Sequence, residues 1–362
     1  MGMLLTSLLV LLLFLQAVRP AAAISSSVKT LYSCEDKDTG ERILETIDVS
    51  SAEQAVQLAQ DLLTCPGNDF EVTWHGTIAI NRSLEVANGT SLKITGTGQQ
   101  SQAIIEAGGI GPTFAVWSSN LRLDGLTITD AKGFEGGVVA ARDGASVTFI
   151  DCNILGNTAS SKGGAVFLDR NSSFISTGSN FTSNNAELFG GAIFASNGSS
   201  VFLRGASTNL LFSNTAKSGG AVYLEEGSAL TVEGDKTDLI GNSADFQGGA
   251  IYAERDCQVA IGGVTLLAEN QAGGSNGGAI FAKDSTVVTT SGNTSFVDNY
   301  SSHYGGAIMV QDRSKIVVDE ETDFLRNRAD YDGGAIKAEI DSVVQINGRT
   351  SFLLNSAGDL GG

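Results

Sequence analysis

Along most of the chain, short runs of alternating apolar and polar residues follow one another. Residues 228–234 (Ser-Ala-Leu-Thr-Val-Glu-Gly) and 314–319 (Ser-Lys-Ile-Val-Val-Asp) are clear cases. Period-two alternation over four to six residues predicts half-buried strands. The Gly, Asn and Ser residues between the runs predict turns. No stretch after residue 65 keeps a helical period. The one helical pattern lies just before it, over residues 51–64, with apolar positions at Ala52, Ala55, Val56, Ala59, Leu62 and Leu63. This predicts an amphipathic helix with Ser50 or Ser51 as its N-cap.

The alternating runs belong to a repeat of about 28 residues. Gly-Gly dyads begin at Gly136, Gly163, Gly190, Gly219, Gly248, Gly277, Gly305, Gly333 and Gly361, and most continue as Gly-Gly-Ala-Ile or Gly-Gly-Ala-Val. A second landmark precedes each later dyad: Asn157, Asn184, Asn214, Asn242, Asn270, Asn299, Asn327 and Asn355. Three residues before each of these Asn residues stands an apolar one, from Ile154 and Phe181 to Phe324 and Phe352, and two after it stands Ala or Ser. A fixed period of this size marks a solenoid, in which each repeat buries its apolar face only against its neighbours. No proline follows Pro112, as a continuous hydrogen-bonded ladder requires.

The expected fold is therefore all-β: a right-handed parallel β-helix of about ten coils, three strands and three turns to a coil, closed at its N-terminal end by the helix. The expected organisation is a signal peptide over 1–23, an N-terminal cap over 24–71, irregular first coils over 72–135, and tandem repeats over 136–362 that break off as another begins. Stacking should line the Asn residues into a ladder of side-chain amides. Val166, Ile193, Val222, Ile251, Ile280, Ile308 and Ile336 should form one core stripe. The next residue in each coil (Phe167, Phe194, Tyr223, Tyr252, Phe281) should then point outward. An exposed aromatic column of that kind could bind sugar rings or a protein partner.

Composition narrows the function. The formal charge is −18, which opposes binding to nucleic acid or to anionic lipid. Residues 3–15 are nearly all apolar and precede Pro20-Ala21-Ala22-Ala23, the pattern of a secretory leader and too short to span a bilayer. Seven sequons, at Asn81, Asn88, Asn171, Asn180, Asn197, Asn293 and Asn299, fit a glycosylated secreted product. Cys34 and Cys65 flank the helix and are the disulfide candidates. Cys152 and Cys257 lie about four coils apart, too far to bridge, and are expected to be buried fillers.

The paired landmarks, with Phe181 to Asn184 before Gly190 to Ile193 and Phe296 to Asn299 before Gly305 to Ile308, resemble the repeats of the chlamydial polymorphic outer membrane protein family. The resemblance covers residues 136–362, while residues 51–135 resemble the first coils of the wider pectin-lyase-like superfamily. It implies a surface-displayed adhesin. The family's C-terminal β-barrel is missing from this sequence, so outer-membrane placement is expected only if a barrel follows in a longer chain; otherwise the expectation is a secreted or cell-surface protein.

Enzymes on such scaffolds gather carboxylates with basic partners on one face. The two histidines, His75 and His303, are far apart, and no Asn-Thr-Asp, Asp-Asp or Gly-His-Gly constellation occurs. The richest polar patch comprises Arg122, Asp124, Asp130, Lys132, Arg142, Asp143 and Asp151. The acidic turns at 235–238 and 319–323 lack the pattern of a calcium β-roll. No metal or cofactor is implied. The leading expectation is a non-catalytic adhesin or scaffold that meets carbohydrate or surface protein. A polysaccharide lyase, hydrolase or epimerase is the alternative, favoured if two carboxylates and a basic group converge.

Overall fold

The computed structural model describes residues 44–98, 103–109 and 111–361. The expected leader over 1–23 lies outside them, as does Cys34. The described residues form a parallel β-helix of about 11 turns. A representative coil runs Val166–Leu168 in sheet 1, Ser173–Thr177 in sheet 2, Asn180–Thr182 in sheet 3 and Asn185–Ala186 in sheet 4. The sheets hold 10, 12, 11 and 9 strands respectively, and successive coils pair in parallel. The count is four strands per coil, not three. The fourth is only two residues long in several coils, too short to show alternation.

The solenoid also starts one strand earlier than expected. Leu44–Val49 pairs in parallel with Asp69–Trp74, extending sheet 2 beyond residue 72 toward the N-terminus. The helix, Ala52–Thr64, lies between these two strands in sequence. Ser51 caps it by accepting from the Gln54 N–H, and Gln54 reaches back to accept from the Ser50 N–H at 2.7 Å. Its buried face, Ala55, Leu58, Ala59 and Leu62, joins the core of the first coils and covers strands Thr77–Ile80 and Leu84–Val86, the first of sheets 3 and 1. Those edges would otherwise present unpaired backbone and open core.

The interior is built from columns. Val166, Ile193, Val222, Ile251, Ile280 and Ile308 stack in register and are fully buried. Opposite them stand Ile154, Phe181, Leu211, Leu239, Leu267, Phe296 and Phe324, also fully buried.

At the corner between sheets 3 and 4 the Asn residues form one unbroken ladder. The backbone N–H and the Nδ2 of Asn242 both donate to Oδ1 of Asn270 at 3.0 Å, and Nδ2 also donates to the Leu211 carbonyl at 2.9 Å. The same three bonds recur from Asn157 through Asn327. This accounts for the apolar-x-x-Asn spacing. The apolar side chain enters the core, and its own carbonyl receives the amide of the Asn in the next coil.

The Gly-Gly dyad makes the corner between sheets 4 and 1. From Gly136 to Gly333 its first glycine sits at φ +63 to +70°, so sharply turned that a Cβ would strike the carbonyl three residues ahead. At the second glycine a Cβ would run into the dyad of the next coil, as Gly249 would into the Gly278 carbonyl. The corner between sheets 2 and 3 is looser. Thr177 pairs with Arg204 and Asn180 with Leu210, so two residues turn this corner in one coil and five in the next.

Two outcomes follow. Asn242→Ala orphans the Asn214 donors and the Leu211 carbonyl inside the protein and should cost about 3 kcal/mol in urea unfolding; exposed Asn293→Ala should change it by less than about 0.5 kcal/mol. Gly249→Ala should cost more than about 3 kcal/mol by the same measurement, because backbone must move. Gly227→Ala, at positive φ but with open space around it, should cost only about 1–2 kcal/mol.

Candidate functional site

The aromatic column is stacked as expected but is not exposed. Phe167, Phe194, Tyr223, Tyr252 and Phe281 are at most 5% accessible, which corrects the reading of them as an open binding stripe. They do point away from the main core. With Ala140 and Met309 they form a second apolar cluster on the outer side of sheet 1. Ring centroids of neighbours are 4.5–5.5 Å apart. Two things cover them. The tight dyad turn brings the residues before it, Phe189 and Tyr304, back against the rings, and the Lys162 ammonium sits 4.3 Å from the Phe194 ring centre. On the other side stands a column of charged residues.

That column contains a dense cluster of charged groups. Alternation sets the residue two after each column ring on the same face, which places Glu225 beside Tyr223 and Glu254 beside Tyr252. Glu254 receives four donors. Its Oε1 accepts from Tyr223 at 3.0 Å and from Arg255 at 2.7 Å; its Oε2 accepts from Tyr252 at 2.9 Å and faces Lys283 at 3.0 Å. Glu225 takes Lys162 at 3.3 Å on one oxygen and Arg255 at 2.6 Å on the other. Both carboxylates therefore converge on Arg255, and Glu226 lies 3.7 Å from it as well. Sequence reasoning missed this set, although the spacing in Tyr-Leu-Glu and Tyr-Ala-Glu one coil apart carried the signal.

The electrostatics are those of a closed network. Burial raises the Glu254 pKa, but the bonds from Lys283 and the two tyrosines outweigh it and hold the carboxyl below the ordinary glutamate range. Burial and the neighbouring glutamates push both tyrosine hydroxyls well above their ordinary range. Glu254 thus stays ionised with its lone pairs engaged, and the tyrosines stay neutral donors. A general acid needs the opposite, a carboxyl whose pKa is raised toward neutrality.

The other sequence candidates are dispersed. Arg122 pairs with Asp124 at 3.0 Å on sheet 2. Arg142 pairs with Glu135 at 2.6 Å and lies between the rings of Trp117 and Phe167. Asp143 binds Arg170 from the next coil. Asp130, Asp143 and Asp151 all occupy left-handed turn positions, and Lys132 is exposed on the first strand of sheet 4. His75 contacts Thr97 and Asp48 in the first coils, whereas His303 stacks on Tyr331 in the late ones. Among the described residues, no group of three or more His, Cys, Asp or Glu is placed to hold a metal.

Cys65 is disulfide-bonded; its expected partner, Cys34, is not among the described residues. Cys152 and Cys257 are free and buried, and burial pushes both thiols up to about 12. Cys257 fills a corner position held by Ser172, Ser199, Ser228, Thr286 and Ser314 in other coils.

Of the sequons, Asn81, Asn88, Asn171, Asn197 and Asn293 are exposed. Asn180 is half-buried and donates to Asn153. Asn299 is a correction: it is a fully buried rung of the ladder, both amide protons committed to Asn327 and Leu267. A glycan there is incompatible with the folded coil.

One outer column is both repetitive and open. On sheet 3, Leu155, Thr182, Phe212, Ile240, Ala268, Val297, Leu325 and Leu353 stack in register. Phe212 is 41% and Leu353 54% exposed, and most of the others are half-buried. Seven rungs of about 4.8 Å make this stripe roughly 34 Å long. No family model, curated protein or solved structure matches the chain.

Glu254→Gln removes the charge that four donors share and should lower stability at pH 7 by about 2 kcal/mol. The folded-state pKa lies below the unfolded one, so this contribution is fully present above the unfolded pKa and is lost as pH falls through the folded value. Acid unfolding followed by circular dichroism should therefore show a weaker pH dependence in the variant over that window.

Proposed function

We propose that the protein is a secreted, non-catalytic adhesin or extracellular scaffold that meets its partner along the outer face of the solenoid. The observation that carries this reading is the apolar stripe on sheet 3. Outward apolar residues recurring in almost every coil form a continuous ledge, and contiguous apolar surface on a soluble protein marks a contact site. Beside the stripe stand Asn180, Leu210, Leu266 and Ser295, with Asp238 and Asp323 in the same column. A surface of this type suits an extended glycan or a protein surface. Secretion is supported by the leader pattern over residues 1–23, by the five exposed sequons and by the disulfide at Cys65. The repeat's resemblance to surface-displayed adhesins points the same way.

The alternative is an enzyme acting on uronate polymers, and the convergence of Glu225 and Glu254 on Arg255 is the observation in its favour. Against it stands the engagement of every oxygen of both carboxylates by internal donors.

A binding assay on immobilised uronate and neutral polysaccharides, and on surface protein of the producing cell, separates the two. The triple variant Phe212→Ser, Ile240→Ser, Leu325→Ser should weaken binding at least about tenfold and leave the thermal midpoint within a few degrees. Undiminished binding by this variant removes the stripe from the reading. Release of new chain ends from a uronate polymer, abolished by Glu254→Gln, establishes the enzyme instead.

A further inference from the structure

We propose that the outer face of sheet 4 holds a second contact, separate from the stripe on sheet 3, at which a short stretch of neutral glycan docks. The site begins with a difference in coil length. Gly219 follows Asn214 by five residues, and Gly248 follows Asn242 by six. Strands Thr215–Ser218 and Ser243–Gln247 absorb the extra residue as a β-bulge. Ala216 pairs with Ala244 and Ser218 with Gln247, so Asp245 and Phe246 stand opposite Lys217 alone. Strict alternation would turn one of the two inward. In the bulge both are exposed, and Phe246 is 53% accessible.

The next coil leaves that ring open. Gly274 stands beside it, and a Cβ there would strike the Asp245 carbonyl and come within 3.4 Å of the ring. Phe246, His303 and Tyr331 each stand two residues before a dyad, and His303 stacks on Tyr331 with centroids 5.2 Å apart. The rings thus follow the solenoid axis, and the coil between Phe246 and His303 holds Ser275 at this position.

Next to Phe246 the same strands form a depression of about 390 Å³, lined by Asn185, Glu187, Thr215, Lys217 and Asp245 over the small side chains of Ala186 and Ala216. Its size is that of a small-ligand cleft, about 300–1,000 Å³. Its charged groups are uncommitted. Glu187, Lys217 and Asp245 are exposed, and none of their side chains has a partner among the described residues. The carboxylates on sheet 1, by contrast, spend every oxygen within the chain.

An open ring beside free donors and acceptors fits a sugar. A pyranose has an apolar C–H face that packs on an aromatic ring. Its hydroxyls donate to carboxylates such as Asp245 and Glu187 and accept from an ammonium such as Lys217. Charge narrows the class. Two carboxylates face one ammonium in the depression, and the chain carries a formal −18, which repels a uronate or sulfated chain and leaves a neutral one unopposed.

The test is isothermal titration of the purified chain with neutral oligosaccharides built from glucose, mannose, xylose, galactose or N-acetylglucosamine, and with oligogalacturonate. At least one neutral oligosaccharide should bind saturably. Phe246→Leu and Asp245→Ala should each weaken that binding at least about tenfold, whereas Phe246→Trp, which keeps a ring, should retain it. Both positions are exposed, so the urea midpoint should hold in all three variants, which separates lost binding from lost folding. The triple variant of the sheet 3 stripe should bind the oligosaccharide as the unaltered chain does. Binding of oligogalacturonate alone, binding of no oligosaccharide, or binding indifferent to Phe246→Leu overturns the proposal and leaves the reading of the stripe untouched. Loss of oligosaccharide binding in the stripe variant, with Phe246→Leu unaffected, overturns it in favour of sheet 3.

Discussion

Everything in this molecule depends on one hydrogen-bonded junction, the carboxamide of an Asn clasped between the coils above and below. Each ladder oxygen from Asn184 to Asn355 accepts two protons from the coil before it, and each ladder nitrogen from Asn157 to Asn327 bonds forward to the next amide and backward to a core residue's carbonyl. Only a side chain with donor and acceptor on the same short arm satisfies the site. Asp lacks the donor and would stack buried charges about 4.8 Å apart. Ser lacks a planar pair of groups to reach both neighbours. The ladder pins the corner between sheets 3 and 4, and the glycine dyad pins the corner between sheets 4 and 1. With two corners held, the strands between them fall into register.

Much of this was legible because solenoid physics is periodic. A residue that must meet its own counterpart one coil away recurs at the coil length, so the Asn and Gly-Gly columns, the Ile/Val stripe and the apolar residue before each Asn were all visible as repeats. The helix was visible through its 3.6 period and the serines before it, Ser50 and Ser51, of which Ser51 is the cap. What escaped was what periodicity does not encode. The two-residue strands of sheet 4 are too short to alternate. Leu44–Val49 precedes the helix and stands outside the repeat. The sequon at Asn299 is a local tripeptide match, whereas burial there is decided by residues 28 positions away.

The aromatic column shows the limit most clearly. Alternation correctly separates Val166 from Phe167, one facing the core and the other facing away. It says nothing of whether another segment lies over the outer face. The same glycines that make the corner tight fold Phe189 and Tyr304 over it, and Glu254 ties the two tyrosine hydroxyls to Arg255 and Lys283. Sheet 1 is thereby covered on both sides, whereas sheet 3 keeps its outer apolar column open. Which face is free to meet a partner follows from corner geometry and not from which residues are aromatic.

The unequal stringency of the corners has a consequence for how such a chain can diversify. At the dyad an added side chain does not fit. Between sheets 2 and 3 the path already stretches from the two residues after Thr177 to the five after Arg204 while the flanking strands stay in register. Length can vary there, coil by coil, without disturbing the stack. These bends lie one above another, so segments grafted into successive ones would emerge as an evenly pitched row, a ruler on which new surface chemistry can be written while the scaffold beneath is left alone.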